Sequence, residues 1–242
     1  MLFACYNDNM NIGIIVAAGS GERLFDAIKI KKQYYKLNGY KEIFLHPVET
    51  FIKSGIFSTV ILVVPRGDRE RAYSILEREE LNDKVMIVEG GNTRQESVER
   101  AMSFLSKKLS PKSLEETTVF IHDGDRPLVS TDLLLRLEKS SKEYEAVVPV
   151  MPIFDSMVRK EDKKYVNRQN YLCVHTPQVF RFHLLMKALS YAKNANGTFG
   201  DEGSVIQYYG HEVTYVESEI SNMKITDLNT LQIVEKWEKI YG

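Results

Sequence analysis

Cysteine is scarce. Cys5 and Cys173 are the only two in 242 residues. They form no CxxC pair and no Cys/His metal spacing, so the chain lacks the pattern of a disulfide framework or a zinc ribbon, and two free thiols in a reducing cytoplasm are expected. The five histidines are scattered, with no HExxH among them. No apolar run approaches the roughly 18 residues that a membrane-spanning helix requires. The first ten residues, MLFACYNDNM, lack a basic segment followed by a long apolar one. They read as a frayed extension and not as a signal peptide. Net charge is almost absent, at −1. Bulk attraction to nucleic acid or to a membrane surface is therefore not expected, and an anionic ligand must be met by local cations. No staple is needed either: a chain of this length buries about 70–75% of its extended surface.

What is present is an alternation. Apolar runs rich in β-branched residues occur at Ile12–Ala17, Thr59–Val64, Val85–Val88, Val119–His122 and Ala146–Val150. Such continuous runs suit strands covered on both faces. Amphipathic stretches lie between them. Phe44, Leu45, Val48, Phe51 and Ile52 share one helical face, and so do Ala72, Ile75 and Leu76. Thr93 with Glu96 has the spacing of a capping box ahead of the stripe Val98, Ala101, Met102 and Leu105. The order implies right-handed crossovers and an α/β, mostly parallel sheet. Ligands of such sheets bind beyond the carboxyl ends of the strands. One domain over 11–242 is expected. The pattern breaks at Met151–Phe180, where short strand-like pieces flank a charged tip, which reads as a projecting β-arm or a surface insertion. Helices from Phe182 and from Asp201, a strand His211–Val216 and a helix Leu228–Ile240 follow.

Three of the strand-end loops carry chemistry. Ala17-Ala18-Gly19-Ser20-Gly21-Glu22-Arg23 lets backbone amides approach a phosphate, with Arg23 as a charge-assisted donor. Lys29, Lys31 and Lys32 follow closely; the alternative is a tight turn and a solvated helix face. Gly90 through Ser97 could let the chain lie against a flat base, or could be a plain strand-to-helix turn, which would leave Arg94 and Ser97 unexplained. Asp123-Gly124-Asp125-Arg126 places carboxylates at a strand's end beside these cations. That suits Mg²⁺, which takes hard oxygen ligands and keeps waters, but it also suits a turn with Asp caps. Asp201-Glu202 and Lys224 sit at later loop–helix junctions.

Taken together, these segments resemble the 2-C-methyl-D-erythritol 4-phosphate cytidylyltransferases and their ribitol-phosphate relatives. AAGSGERLFDAIKIKKQYY is similar to the family's AAGxGxRxxxxxPKQ. GGNTRQESV, HDGDRP, TPQVF, DEGSV and NMKIT follow in family order, from about Asn11 to Trp237. The resemblance implies a Rossmann-like, GT-A-like three-layer nucleotidyltransferase fold with a protruding arm at about 151–180. It also implies CTP as co-substrate, Mg²⁺ and a homodimer. By position, Arg23 and Lys32 would be catalytic, holding the triphosphate. Ala17, Ala18, Gly19, Gly21, Gly91, Asn92 and Ser97 would line the nucleotide, and Asp123 would bind the metal. Arg126, Ser156 and Lys224 would address the acceptor, with Lys224 also near the triphosphate. Arg168 and Thr176, on the arm, would reach the neighbouring subunit's site.

The sequence departs from the pattern at several places. The loop from Arg23 to Lys32 is about two residues longer, and Lys31 replaces the usual proline. Asn92 stands where aspartate is common, and Gly124-Asp125 replaces two small residues. Ser156 stands for threonine, and Gly200 for a frequent hydroxyl residue. The implied reaction is in-line attack by an acceptor phosphate oxygen on the α-phosphorus of CTP. A ribitol phosphate acceptor, or a nucleotide-binding scaffold without catalysis, are the alternatives.

Overall fold

The computed structural model describes residues 10–19, 21–193 and 199–241. The first half alternates strands and helices. β1 (Met10–Val16) leads to α1 (Glu22–Ile28), a 3-10 turn at Lys32–Tyr34, a small ribbon of β2 (Lys36–Leu37) and β3 (Lys41–Glu42), and α2 (Leu45–Ser54). β4 (Thr59–Val64), α3 (Arg69–Arg78), β5 (Val85–Glu89), α4 (Arg94–Lys108), α5 (Pro111–Glu115), β6 (Thr117–Asp123) and α6 (Thr131–Ser141) continue the series.

The second half begins with β7 (Ala146–Pro152), a hairpin of β8 (Met157–Val158) and β9 (Tyr165–Val166), β10 (Leu172–Val174) and β11 (Gln178–Arg181). It ends with α7 (Phe182–Ala192), α8 (Glu202–Tyr208), β12 (Thr214–Glu217) and α9 (Leu228–Tyr241).

The main sheet runs β10-β7-β11-β6-β1-β4-β5, with β12 also paired to β7. β5, β4, β1 and β6 are mutually parallel. Every residue of β4 and β6 is buried, as expected of strands covered on both faces. One apolar cluster packs α4, α7 and α8 on one face, and a second packs α2, α3 and α6 on the other. A third gathers Leu24, Leu37 and Ile43 beneath α9 through Ile225, Leu231 and Val234. At Gly13 a β-carbon would lie 2.5 Å from the Phe51 ring, so the absent side chain lets that ring lie on β1.

Three expectations change in detail. The Thr93 hydroxyl does accept from the Glu96 amide at 3.1 Å, but the Glu96 carboxylate accepts from Asn92 N at 2.7 Å and not from the cap residue itself. The last strand starts at Thr214 and not at His211, because Gly210, at φ 91°, and His211 still close the end of α8: His211 N donates to Ile206 O. Only part of the 151–180 segment stands off the sheet. β8 pairs with β9 alone, whereas β10 pairs with β7, and β11 is inserted between β6 and β7 with Val179 and Phe180 buried. Among the described residues, no helix is long and apolar enough to cross a membrane.

Candidate active site

The parallel strands β1, β5 and β6 all end at one cavity of about 460 Å³. Ala18 and Gly19 enter it from β1, Gly91 and Asn92 from β5, and Asp123 and Asp125 from β6. The close approach of the first two loops depends on Gly90, where a β-carbon would lie 2.5 Å from that of Ala18. A smaller cavity of about 180 Å³ adjoins it, lined by Arg126, Thr176, Gln178 and Asp201. Arg94, Asp123 and Lys224 line both and form the wall between them.

Asp123 is the centre of that wall. Its Oδ1 accepts from Arg94 Nε at 2.8 Å and its Oδ2 from Lys224 Nζ at 2.8 Å, with Arg126 Nε at 3.7 Å. Burial alone would raise this carboxyl, but the three cations hold it well below the ordinary range. Arg94 also donates from Nη1 to both oxygens of Glu202, at 2.7 and 2.9 Å. Glu202 is buried at the first turn of α8, and burial keeps its carboxyl above the usual range although Arg94 opposes the shift.

A second set of bonds fixes the end of β6. The Nε2 of His122 faces the Arg126 carbonyl at 3.0 Å and must donate to it. Its Nδ1 therefore accepts from the Thr176 hydroxyl at 3.1 Å, and Thr176 Oγ1 in turn accepts from Asp123 N at 3.0 Å. The arrangement needs a neutral ring, and burial holds His122 down to about 4. Arg126 Nη1 donates to the Asn222 carbonyl at 2.7 Å, while Asn222 Nδ2 donates to Thr176 O at 2.7 Å. The NMKIT loop is thereby tied to the HDGDRP loop. Gln178 bridges Asp201 and the amide of Gly203, which holds α8 in place.

Three charged atoms are left over here. Arg94 Nη2, Arg126 Nε and Asp125 Oδ1 are buried and make no hydrogen bond among the described residues. Two of them still face an opposite charge, Arg126 Nε at 3.7 Å from Asp123 and Asp125 Oδ1 at 3.7 Å from Lys224, and a cluster of incompletely bonded charges marks a site kept for something other than stability.

The structure brings together most of the residues singled out by sequence and relocates several. Ala18, Gly19, Gly91, Asn92, Asp123, Arg126 and Lys224 meet at the paired cavities. Ala17 is buried in the core, its methyl group beside Gly124 and not in the cavity wall. Gly21 is not a wall residue but a left-handed turn, at φ 67°, against which Lys32 packs. Ser97 also lines the larger cavity, though its hydroxyl is engaged within its own loop, accepting from Gly91 N and donating to Thr93 O. Thr176 is buried under β6 in the bonds just described and lines the smaller cavity of its own chain. Ser156 and Arg168 are exposed on the arm and line neither cavity.

Lys31, not Lys32, lines the larger cavity, paired with Asp68 at 2.7 Å. Lys32 reaches the site indirectly, through Asp125 at 2.5 Å and the Ile225 carbonyl at 2.7 Å. Arg23 lies in α1, and its side chain and the whole of Ser20 fall outside the described residues. Roles for Arg94, Glu202, His122 and Asn222 were not foreseen. The signal for Arg94 was present, since a plain capped turn leaves an arginine at that position without a purpose.

Among the described residues, no three His, Cys, Asp or Glu side chains converge on a point that could hold a metal. Asp125 is committed to Lys32, with its Oδ1 3.7 Å from Lys224 Nζ, but the oxygens of Asp123 are hard donors at the cavity wall. They fit a magnesium ion that is shared with substrate phosphates and water, and not one in a cage made by protein alone.

The profile of the 2-C-methyl-D-erythritol 4-phosphate cytidylyltransferase family matches residues 12–237. A protein of that name from Thermotoga neapolitana is 30% identical over 237 residues, which cover 96% of this chain and 100% of that protein. One from Thermosipho melanesiensis is 32% identical, over 96% of this chain and 99% of its own length. The solved structure of 2-C-methyl-D-erythritol 4-phosphate cytidylyltransferase from Thermus thermophilus aligns with a TM-score of 0.76 at 26% identity, covering 95% of this chain and 100% of that one.

Proposed function

The chain belongs to the 2-C-methyl-D-erythritol 4-phosphate cytidylyltransferase family, and from that premise we propose that its paired cavities are where CMP passes from CTP to the acceptor. It is a CTP-dependent nucleotidyltransferase of isoprenoid precursor synthesis, with 2-C-methyl-D-erythritol 4-phosphate as acceptor and pyrophosphate as by-product. The observation that carries the assignment of the site is the shared wall of Arg94, Asp123 and Lys224. It separates a larger cavity between glycine-rich loops, suited to a nucleotide, from a smaller one with a buried arginine, suited to a phosphorylated polyol.

In this reading Ala18, Gly19, Gly91 and Asn92 hold the nucleoside, and the Asn92 amide can meet the exocyclic amine of cytosine. Arg126 orients the acceptor phosphate. One of its oxygens attacks the α-phosphorus; the new O–P bond forms while the bridge to the β-phosphate opens and pyrophosphate departs. The attacking phosphate is already anionic, so no general base is required. Lys224, on the dividing wall, and Lys32, with Arg23, stabilise the charge that builds on the α-phosphate oxygens. Asp123 would hold the magnesium ion, which supplies Lewis acidity toward those oxygens when bound.

We place the working unit as a homodimer. Tyr165 on the β8–β9 hairpin is 80% exposed, and Phe154, Tyr171 and Leu172 nearby are also exposed. An isolated two-stranded ribbon with such a surface gains stability from a partner. Arg168 and Ser156, remote from their own cleft, are then available to the partner's acceptor. Pyrophosphate release from CTP, measured with 2-C-methyl-D-erythritol 4-phosphate and ribitol 5-phosphate, tests the whole reading. Turnover with ribitol phosphate alone would overturn the acceptor, and no turnover with either would overturn the catalytic assignment.

A further inference from the structure

Two departures from the family pattern, far apart in sequence, meet in space. One is the longer loop between Arg23 and Lys32, without its proline. The other is Asp125, a carboxylate where a small residue is usual. Lys32 Nζ donates to Asp125 Oδ2 at 2.5 Å, across 93 residues of sequence.

The loop returns on itself, so that the Lys32 β-carbon lies 3.1 Å from where a side chain on Gly21 would begin. Between Arg23 and Lys32 the chain runs through α1 and a left-handed turn at Lys29, with φ 54°. The Lys32 stem therefore starts at the closed mouth of the loop. Its ammonium finds two acceptors, Asp125 Oδ2 and Ile225 O. Asp125 is itself anchored, because its carbonyl accepts from Ile225 N at 2.9 Å. A small residue at 125 would leave a four-carbon side chain on a longer loop with one carbonyl to aim it. Holding such a chain in one rotamer opposes its side-chain entropy.

We propose that Asp125 is the positioning residue for Lys32: its carboxylate aims the ammonium at the end of β6 and replaces the restraint that a shorter, proline-containing loop supplies. The proposal rests on the reading of Lys32 as a phosphate-stabilising cation, so its test separates the two. Steady-state kcat and KM are measured for Asp125→Ala, Asp125→Asn, Lys32→Ala and the double variant Lys32→Ala/Asp125→Ala at saturating magnesium. In parallel, acylation of lysines by an amine-reactive reagent is followed by mass spectrometry, with exposed Lys29 as the internal reference.

Misaimed by about 1 Å, Lys32 should cost about 10- to 100-fold in kcat in Asp125→Ala. Asp125→Asn keeps the shape and one acceptor oxygen and should recover part of that loss. The double variant should fall within about twofold of Lys32→Ala, because the carboxylate acts through the lysine. Lys32 acylation should speed up several-fold in Asp125→Ala relative to Lys29. The proposal is overturned if Lys32 acylation is unchanged in both Asp125 variants. It is also overturned if Asp125→Ala removes the same factor from Lys32→Ala as from the wild type, which would mean a separate role such as holding magnesium. Faster acylation together with wild-type kcat in Lys32→Ala would overturn the catalytic reading of Lys32, and with it the purpose of the contact.

Discussion

Replacing Arg94 by methionine should damage folding and catalysis by separable routes. The guanidinium joins Asp123 to Glu202. Glu202 is 2% exposed and has no other cation within ion-pairing distance among the described residues. Removing one partner of a buried pair leaves the other charge desolvated and costs about 3–5 kcal/mol. Arg94 keeps 26% of its side-chain surface, so solvent softens the loss and the lower end applies. Asp123 adds little to the penalty, because Lys224 and Arg126 still compensate it. About 3 kcal/mol in a chain of this length lowers Tm by roughly 6–12 °C. Urea denaturation of Arg94→Met should show this loss. The double variant Arg94→Met/Glu202→Met should regain most of it, since an apolar pair of similar volume avoids the desolvation of both charges. Activity should not return with stability, because the wall between the cavities has lost its donor to Asp123. If Arg94→Met keeps wild-type stability within about 1 kcal/mol, the buried-pair reasoning is wrong. If the double variant regains turnover as well, Arg94 serves only to neutralise Glu202.

Other substitutions probe other parts of the site. Asp123→Asn should abolish magnesium-dependent turnover, and raising the magnesium concentration should not restore it; full recovery on titration would remove Asp123 from the metal reading. His122 lies at about 4 when folded, below its ordinary 6.5, so the unfolded chain takes up the proton first and stability falls with falling pH across that window. From pH 7 to 5 the loss from this group is about 2 kcal/mol, and it should be absent in His122→Asn when each variant is denatured at both pH values. Arg168→Ala should raise the KM for the acceptor while leaving that for CTP unchanged. Mixing it with Lys32→Ala should restore part of the activity as subunits exchange, and no recovery after proven exchange would place Arg168 outside the partner's site.

The parallel strands were legible because their residues are apolar on both faces, and a single sequence shows such runs directly. Thr59–Val64 is an example, found with the bounds expected of it. β11 was not legible as a core strand. Its Val179 and Phe180 belong in the sheet, but Pro177 and the preceding polar hairpin gave the whole stretch the look of an appendage. The site residues divide along a similar line. Gly19, Gly91 and Asp123 lie at or just beyond strand ends, where the topology alone fixes their neighbours. Glu202 and Asn222 lie on a later helix and loop, so their placement depends on tertiary contacts such as Arg94 and Thr176 that no spacing reveals. The family resemblance places Thr176 with Arg168 on the arm. Eight residues of chain carry it back beneath β6, where its hydroxyl serves Asp123 from behind.

The charge balance of the site bears on why the reaction would need a metal at all. Four cations, Lys32, Arg94, Arg126 and Lys224, face three carboxylates, Asp123, Asp125 and Glu202. Almost every positive charge is thus already matched inside the protein, which is what allows so many of these groups to be buried in the absence of substrate. A triphosphate and a phosphomonoester bring several negative charges into the same few ångströms. The side chains cannot neutralise both without abandoning their own carboxylates, and an abandoned buried carboxylate is costly. A divalent ion held by Asp123 together with the phosphates would resolve the conflict, because it would add positive charge where the protein's own is already matched. On the proposed reading the same balance would account for the few carboxylates: a full cage would surround the ion with too much negative charge to admit two anionic substrates. On this argument the phosphates are ligands that the site leaves room for. Magnesium affinity should therefore be weak for the enzyme alone and strengthen with CTP, and titration calorimetry with and without the nucleotide measures the difference directly. Equal affinity in both titrations would mean that the protein holds the ion by itself and that the charge argument fails.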